Sequence, residues 1–221
     1  MDLRKTHTVI LNQGDPELKR AEILDYFHAT FEIDERLYDT LLNDETFYLR
    51  PDRLRHPLIF YFGHTATFYI NKLTVAKVID QRINPRFESM FAVGVDEMSW
   101  DDLNESHYEW PTRVEVKEYR DQVRVLLDRL IRTLPLSLPI GWEDPLWGIM
   151  MGIEHQRIHL ETSSVLIRQL PIDQVQQLPM WDICLETGEP PVNQLLNVAG
   201  GPVTLGKSKD HPLYGLSLIH I

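Results

Sequence analysis

The amino-acid sequence predicts an all-α four-helix bundle followed by the opening of a second unit of different texture. Three observations carry this. Four long segments repeat apolar residues every three to four positions, prolines stand at their boundaries, and after Leu170 the helical period gives way to Pro- and Gly-rich sequence.

The first helix is expected from about Pro16 to Leu42, because Ile23, Leu24, Phe27, Phe31, Leu37, Tyr38 and Leu41 fall mostly on one stripe. Asp15-Pro16 supplies an N-cap and a first turn. The second runs from near Pro57 to about Gln81 through IFYFGHTATFYINKLTVAKVIDQ and is apolar around much of its circumference, as a central bundle helix is. Its aromatic content would also suit a strand, but about 24 residues without a turn signal exceed the length of one strand. Residues 82–112 read as a loop too long for a simple connection, of the kind that covers a site. The third helix is expected from Thr112 to about Leu134, with Val116, Tyr119, Val123, Leu126, Leu127 and Leu130 at helical spacing and Pro135 and Pro139 closing it. The fourth starts between Glu143 and Pro145 and continues until Pro171 stops it.

Residues 1–175 are therefore assigned to the bundle. Pro179, Pro190 and Pro191 forbid a regular helix over 176–192, which reads as an extended linker. Residues 193–215 contain one hairpin-like unit, LLNVAGGPVTLG, expected to be the truncated start of a second domain, since a single hairpin is marginal in water. The last six residues, LSLIHI (216–221), match a translated DNA-library adapter and are set aside, together with His220.

Composition narrows the function. Of 221 residues, 22 are Lys or Arg and 33 Asp or Glu, giving a net charge of −11 with no basic cluster, which argues against nucleic-acid and anionic-membrane partners. No stretch approaches about 18 uninterrupted apolar residues, and the first thirty are charged throughout, unlike a signal peptide. Cys184 is the single cysteine, so there is no intramolecular disulfide and no Cys-based zinc site, as in a reducing cytoplasm. Metal chemistry here must come from histidines and carboxylates.

The fourth helix offers it. His155 and His159 are four residues apart, so they project from one face, one turn apart. His64, in the middle of the second helix, is the only histidine at comparable depth on a facing element, and three neutral imidazoles suit Fe(II), Zn(II), Cu or Ni with positions left open. A histidine on an apolar face is most often a core residue, and that reading weakens when three share one level. Gly148 and Gly152 precede the pair on roughly the same face and leave room either for a bound molecule or for a close helix contact. Gln156 stands where the catalytic Glu of an HExxH metalloprotease would be, which disfavours that class. His28 reads as a packed residue or a partner of a ligand, Glu161 points about 200° away from His159, and His7, His56, His107 and His211 read as solvated. The acidic loop residues Asp96, Glu97, Asp101 and Asp102 read as solvated surface, and Cys184 as an inert thiol.

The segments HPLIFYFGHTATFYINKL (56–73), FAVGVDEMSWDDLNE (91–105) and MGIEHQRIHLETSSVLIRQLP (151–171) together resemble the sulfoxide synthases of thiol-histidine biosynthesis, both the 5-histidylcysteine sulfoxide synthases of the ovothiol pathway and the ergothioneine-pathway enzymes. The likeness implies a DinB-like four-helix bundle joined to a formylglycine-generating-enzyme-like (sulfatase-modifying-factor) domain. It also implies an oxidoreductase whose non-haem Fe(II) is held by His64, His155 and His159 and whose substrates are L-cysteine, L-histidine and O2. Most of the second domain, including the tyrosine that assists the oxygen chemistry in this family, has no counterpart in these residues, so the chain is expected to be an N-terminal fragment lacking full activity. Two other readings are a DinB-like thiol transferase using Zn or Ni and a non-catalytic helical module.

Overall fold

Asp15 opens the first helix: its carboxylate accepts from the amides of Glu17 and Leu18, each at 3.0 Å, and Pro16 follows as first helical residue. This is a computed structural model, and it describes residues 7–92, 109–181, 185–203, 205–206, 211 and 214. The elements are α1 (Pro16–Tyr38), α2 (Leu58–Val75), a short α3 (Pro85–Met90), α4 (Arg113–Thr133) and α5 (Pro145–Ile167). Thr112 starts α4 with a reciprocal capping box to Glu115. No helix among the described residues is long and apolar enough to cross a membrane.

The four long helices close a ring in which α2 packs on α5 and α4, and α1 packs on α5 and α4 from the other side. Every residue of α2 from Leu58 to Ile70 is buried, which accounts for its nearly all-round apolar sequence. The core is aromatic: Phe27, Phe31, Phe60, Phe91, Tyr69 and Tyr119 are almost wholly enclosed. Mid-α2 thus lies among the other long helices, and anything it carries is withdrawn from bulk water.

Helix boundaries differ from the sequence expectation where backbone chemistry intervenes. α2 ends at Val75 rather than near Gln81, because Lys77 turns left-handed (φ 56°) and the amides of Lys77 and Val78 fold back onto the carbonyls of Thr74 and Leu73. α1 stops at Tyr38, after which Leu41 pairs with Val175 in an isolated antiparallel bridge that ties the end of α1 to the segment leaving the bundle. α5 ends at Ile167, three residues before Leu170. The long 82–112 connection is not all loop: Asn84 accepts from the Phe87 amide and Pro85 takes the first helical position, so α3 forms within it.

The hairpin expected over 193–215 is not formed among the described residues. Residues 193–203 pair with nothing in a ladder, and Leu195, Leu196, Val198 and Val203 are exposed. Two strands without a sheet or helix to cover one face have too little apolar burial to hold together. Tyr214 is buried with its ring 4.7 Å from that of Trp147, at the start of α5. Asp96, Glu97, Asp101, Asp102, His107, Cys184 and the segment 216–221 lie outside the described residues.

Candidate metal centre

His64 sits mid-α2, fully buried, with its Nδ1 2.7 Å from the carbonyl oxygen of Phe91. A carbonyl only accepts, so Nδ1 carries the proton and the Nε2 lone pair is turned the other way. Phe91 occupies this place because α3 ends at it, and because position 63 is glycine: a Cβ there would lie 2.5 Å from the Phe91 ring. The sequence stretch read as plain loop therefore sets the tautomer of a candidate ligand.

His155 and His159 face His64 from α5. The Nε2 atoms of His64 and His155 are 3.3 Å apart, ring centroids of the three lie 4.5 to 5.0 Å from one another, and one nitrogen from each falls within 4.8 Å of the others. Two nitrogens each about 2.1 Å from one ion and separated by that distance subtend about 104°, between the octahedral and tetrahedral angles. Burial, then the neighbouring His64, pushes both α5 imidazoles well below the ordinary histidine range, so both are neutral donors at neutral pH. The Nδ1 atoms of His155 and His159 are buried with no hydrogen-bond partner, a cost that functional sites retain. Distance and protonation fit a divalent transition metal, and among the described residues no other group of His, Cys, Asp or Glu converges in this way.

The walls are aromatic. Phe60 stacks on His64 at 5.4 Å, Phe68 lies nearly parallel to His155 at an interplanar angle of 7°, and Tyr61 is 6.2 Å from His159. Gly152 leaves room for a ring rather than for a bound molecule: a Cβ there would stand 2.1 Å from Tyr69. Gly148 has a milder counterpart in Leu73, at 3.2 Å.

The remaining histidines separate from this cluster. His28 lies between α1 and α4, with Nε2 2.7 Å from Asp128 and Nδ1 accepting from Arg124, and is no partner of the triad. His56 is buried, not solvated as expected, because its ring stacks on Phe60 at 4.2 Å one turn before His64. Glu161 is exposed and does not join the group.

Reading the sequence missed a second cluster beneath the histidines. Asp34, Thr65, Tyr69, Arg120 and Gln156 are all wholly buried, and Asp34 Oδ2 accepts from Thr65, Arg120 and Gln156 at 3.1, 2.8 and 2.9 Å. Arg120 also donates to the Phe62 carbonyl and to Thr65, and its guanidinium lies between the faces of Phe31 and Phe62. No periodicity marks it, since Asp34 and Arg120 each sit among other charged residues that face solvent.

An all-helical bundle with a buried three-histidine cluster between two of its helices is the architecture on which a family comparison bears directly: residues 33–163 match the DinB superfamily, and the chain belongs to it. A curated relative, Ergothioneine biosynthesis protein 1 of Neurospora crassa, is 28% identical over 134 residues, covering 58% of this chain. The match spans 15% of that relative's length, so the similarity concerns one part of a much longer protein.

Proposed function

We propose that the chain is the metal-binding bundle of a non-haem Fe(II)- and O2-dependent sulfoxide synthase, an oxidoreductase that joins the cysteine thiol to the histidine imidazole as in ovothiol biosynthesis. The observation that carries this reading is the convergence of His64, His155 and His159 as buried imidazoles among aromatic rings, with His155 and His159 uncharged. Fe(II), when bound, supplies coordination positions for a thiolate, an imidazole and O2. The residues of this chain have three tasks. His64 keeps its donor nitrogen free by protonating the other against Phe91, His155 and His159 remain uncharged, and Phe60 and Phe68 exclude water from two of the rings. The ergothioneine branch is a second reading, supported by the Neurospora crassa relative.

The missing part of the reading is substrate positioning. Well-oriented reactants gain about 7–11 kcal/mol over free encounter, and a bundle presenting the ligands and one wall recovers little of that. The test loads the untagged chain with Fe(II) anaerobically, then adds O2, cysteine and histidine beside a form extended through a complete second domain. Near one equivalent of iron with sulfoxide only from the extended form is expected. Equal yields would show that the bundle alone is the catalyst, preferential Zn or Ni binding would favour thiol transfer, and no metal at all would leave a helical module.

A further inference from the structure

We infer that Gln156, gripped by Asp34 of α1 and Tyr69 of α2, is a positioning residue that sets the rotation of α5 about its own axis and so aims His155 and His159 at His64. The inference rests on those three histidines being metal ligands. It begins with geometry on one helix: Gln156 follows His155 by one residue, about 100° around α5, so its side chain leaves on the flank rather than toward the cluster. There its amide is used at both ends. Nε2 donates to Asp34 Oδ2 at 2.9 Å, and Oε1 accepts from the Tyr69 hydroxyl at 2.9 Å, with all three residues wholly buried.

A residue held from two helices at once acts as a rotational stop. Asp34 is itself fixed by Arg120 of α4 at 2.8 Å and by Thr65 of α2 at 3.1 Å, so the grip on Gln156 refers back to every other long helix. Gly152, one turn before Gln156, is the second half of the device. With no Cβ it lets the Tyr69 ring lie directly on the α5 backbone, where any side chain would collide at 2.1 Å. The ring blocks rotation sterically and its hydroxyl blocks it by hydrogen bonding, and both act within one turn of His155.

The leverage is large. Side-chain tips of an α-helix lie about 5–6 Å from the axis, so a rotation of about 20° carries an imidazole nitrogen through about 2 Å. Metal–ligand distances tolerate about ±0.2 Å, which a rotation of only a few degrees exhausts. Leu and Ile contacts alone permit such slippage, because apolar faces repack with little directional preference. A buried amide with both ends committed does not, since rotation would strip Asp34 of one of its three donors and the Tyr69 hydroxyl of its acceptor within a buried core.

The experiment titrates Co(II) into the untagged 221-residue chain, following the visible d–d absorption, for the unsubstituted protein, Gln156→Met, Tyr69→Phe and Ile131→Ala. Gln156→Met keeps the length and removes both hydrogen bonds. Tyr69→Phe removes one and keeps the ring. Ile131→Ala is a core truncation three turns along α4 from Arg120. The expected result is Co(II) binding about 10-fold weaker or worse, with a weakened d–d band, in Gln156→Met. A smaller loss in the same direction is expected in Tyr69→Phe, and unchanged affinity and spectrum in Ile131→Ala despite its lower stability. If Gln156→Met does not fold, Tyr69→Phe decides: affinity and spectrum equal to the unsubstituted protein would overturn the inference, as would an equal loss in Ile131→Ala. Failure of the unsubstituted protein to bind Co(II) is a different outcome, which removes the metal reading itself and this inference with it.

Discussion

Replacing Gly152 by alanine tests the packing argument at its tightest point. In an exposed helix the change would stabilise, because glycine in a helix interior costs about 1 kcal/mol relative to alanine. Here the added Cβ would meet Tyr69 Cδ1 at 2.1 Å and Cε1 at 2.2 Å, distances at which one side must move by more than an ångström. The ring cannot swing aside cheaply: it is wholly buried, packed edge-on against Phe27 at 6.1 Å, and tethered through its hydroxyl to Gln156. Overpacking a core in this way typically costs about 1–3 kcal/mol, and the broken tether adds about 1 kcal/mol, so the propensity gain is outweighed by about 1–3 kcal/mol. For a chain of this length that corresponds to a fall of very roughly 2–12 °C in melting temperature. Gly148→Ala is the internal comparison. Its Cβ meets only Leu73 Cδ2 at 3.2 Å, the end of a rotatable side chain, and the propensity gain roughly cancels the contact. Thermal and urea unfolding in EDTA, so that bound metal does not enter, measures both. Gly152→Ala as stable as the unsubstituted protein, or more stable, would refute the claim that this glycine exists for Tyr69.

Other expectations concern the ends and surfaces of the helices. Lys77→Gly should stabilise by about 1 kcal/mol in chemical denaturation, because Lys77 holds φ at 56° in the turn that ends α2, a conformation glycine adopts without the Cβ penalty. Thr112→Ala should cost about 1 kcal/mol by the same assay, since Thr112 caps α4 reciprocally with Glu115. The Asp128 carboxyl is held below the usual carboxylate range by hydrogen bonds from Arg132 and then His28, so its contribution is present at neutral pH and is lost as pH falls below the ordinary carboxylate pKa of about 3.9. The stability difference between the native chain and Asp128→Asn, measured by urea unfolding at stepped pH, should therefore shrink in acid. A difference that stays constant would show that the ion pair does not carry it.

What the sequence made legible was whatever repeats locally. The stripe through Phe27 and Phe31, the cap at Asp15, the four-residue step from His155 to His159 and the depth of His64 are short-range patterns, and each of the four long helices forms within the segment its pattern marks, α1 and α2 ending earlier than expected. What it concealed was long-range. Asp34 lies in FEIDERL and Arg120 in EYRDQVR, runs whose neighbouring charges give neither residue a local mark of burial. Their burial follows from a partner 86 positions away, and no local period encodes that. The carbonyl of Phe91 was hidden for a related reason: α3 spans six residues, too few to show helical periodicity, although Asn84-Pro85 is a start signal. His56 read as solvated at a helix start, and only the folded chain shows Phe60 and Trp110 around it.

The single carboxylate oxygen of Asp34 that gathers donors from α2, α4 and α5 also governs how the molecule comes apart. If any one of these helices peeled away from α1, a charge or an amide would be stranded in an apolar interior, so fraying one helix at a time is penalised and the bundle opens all together or not at all.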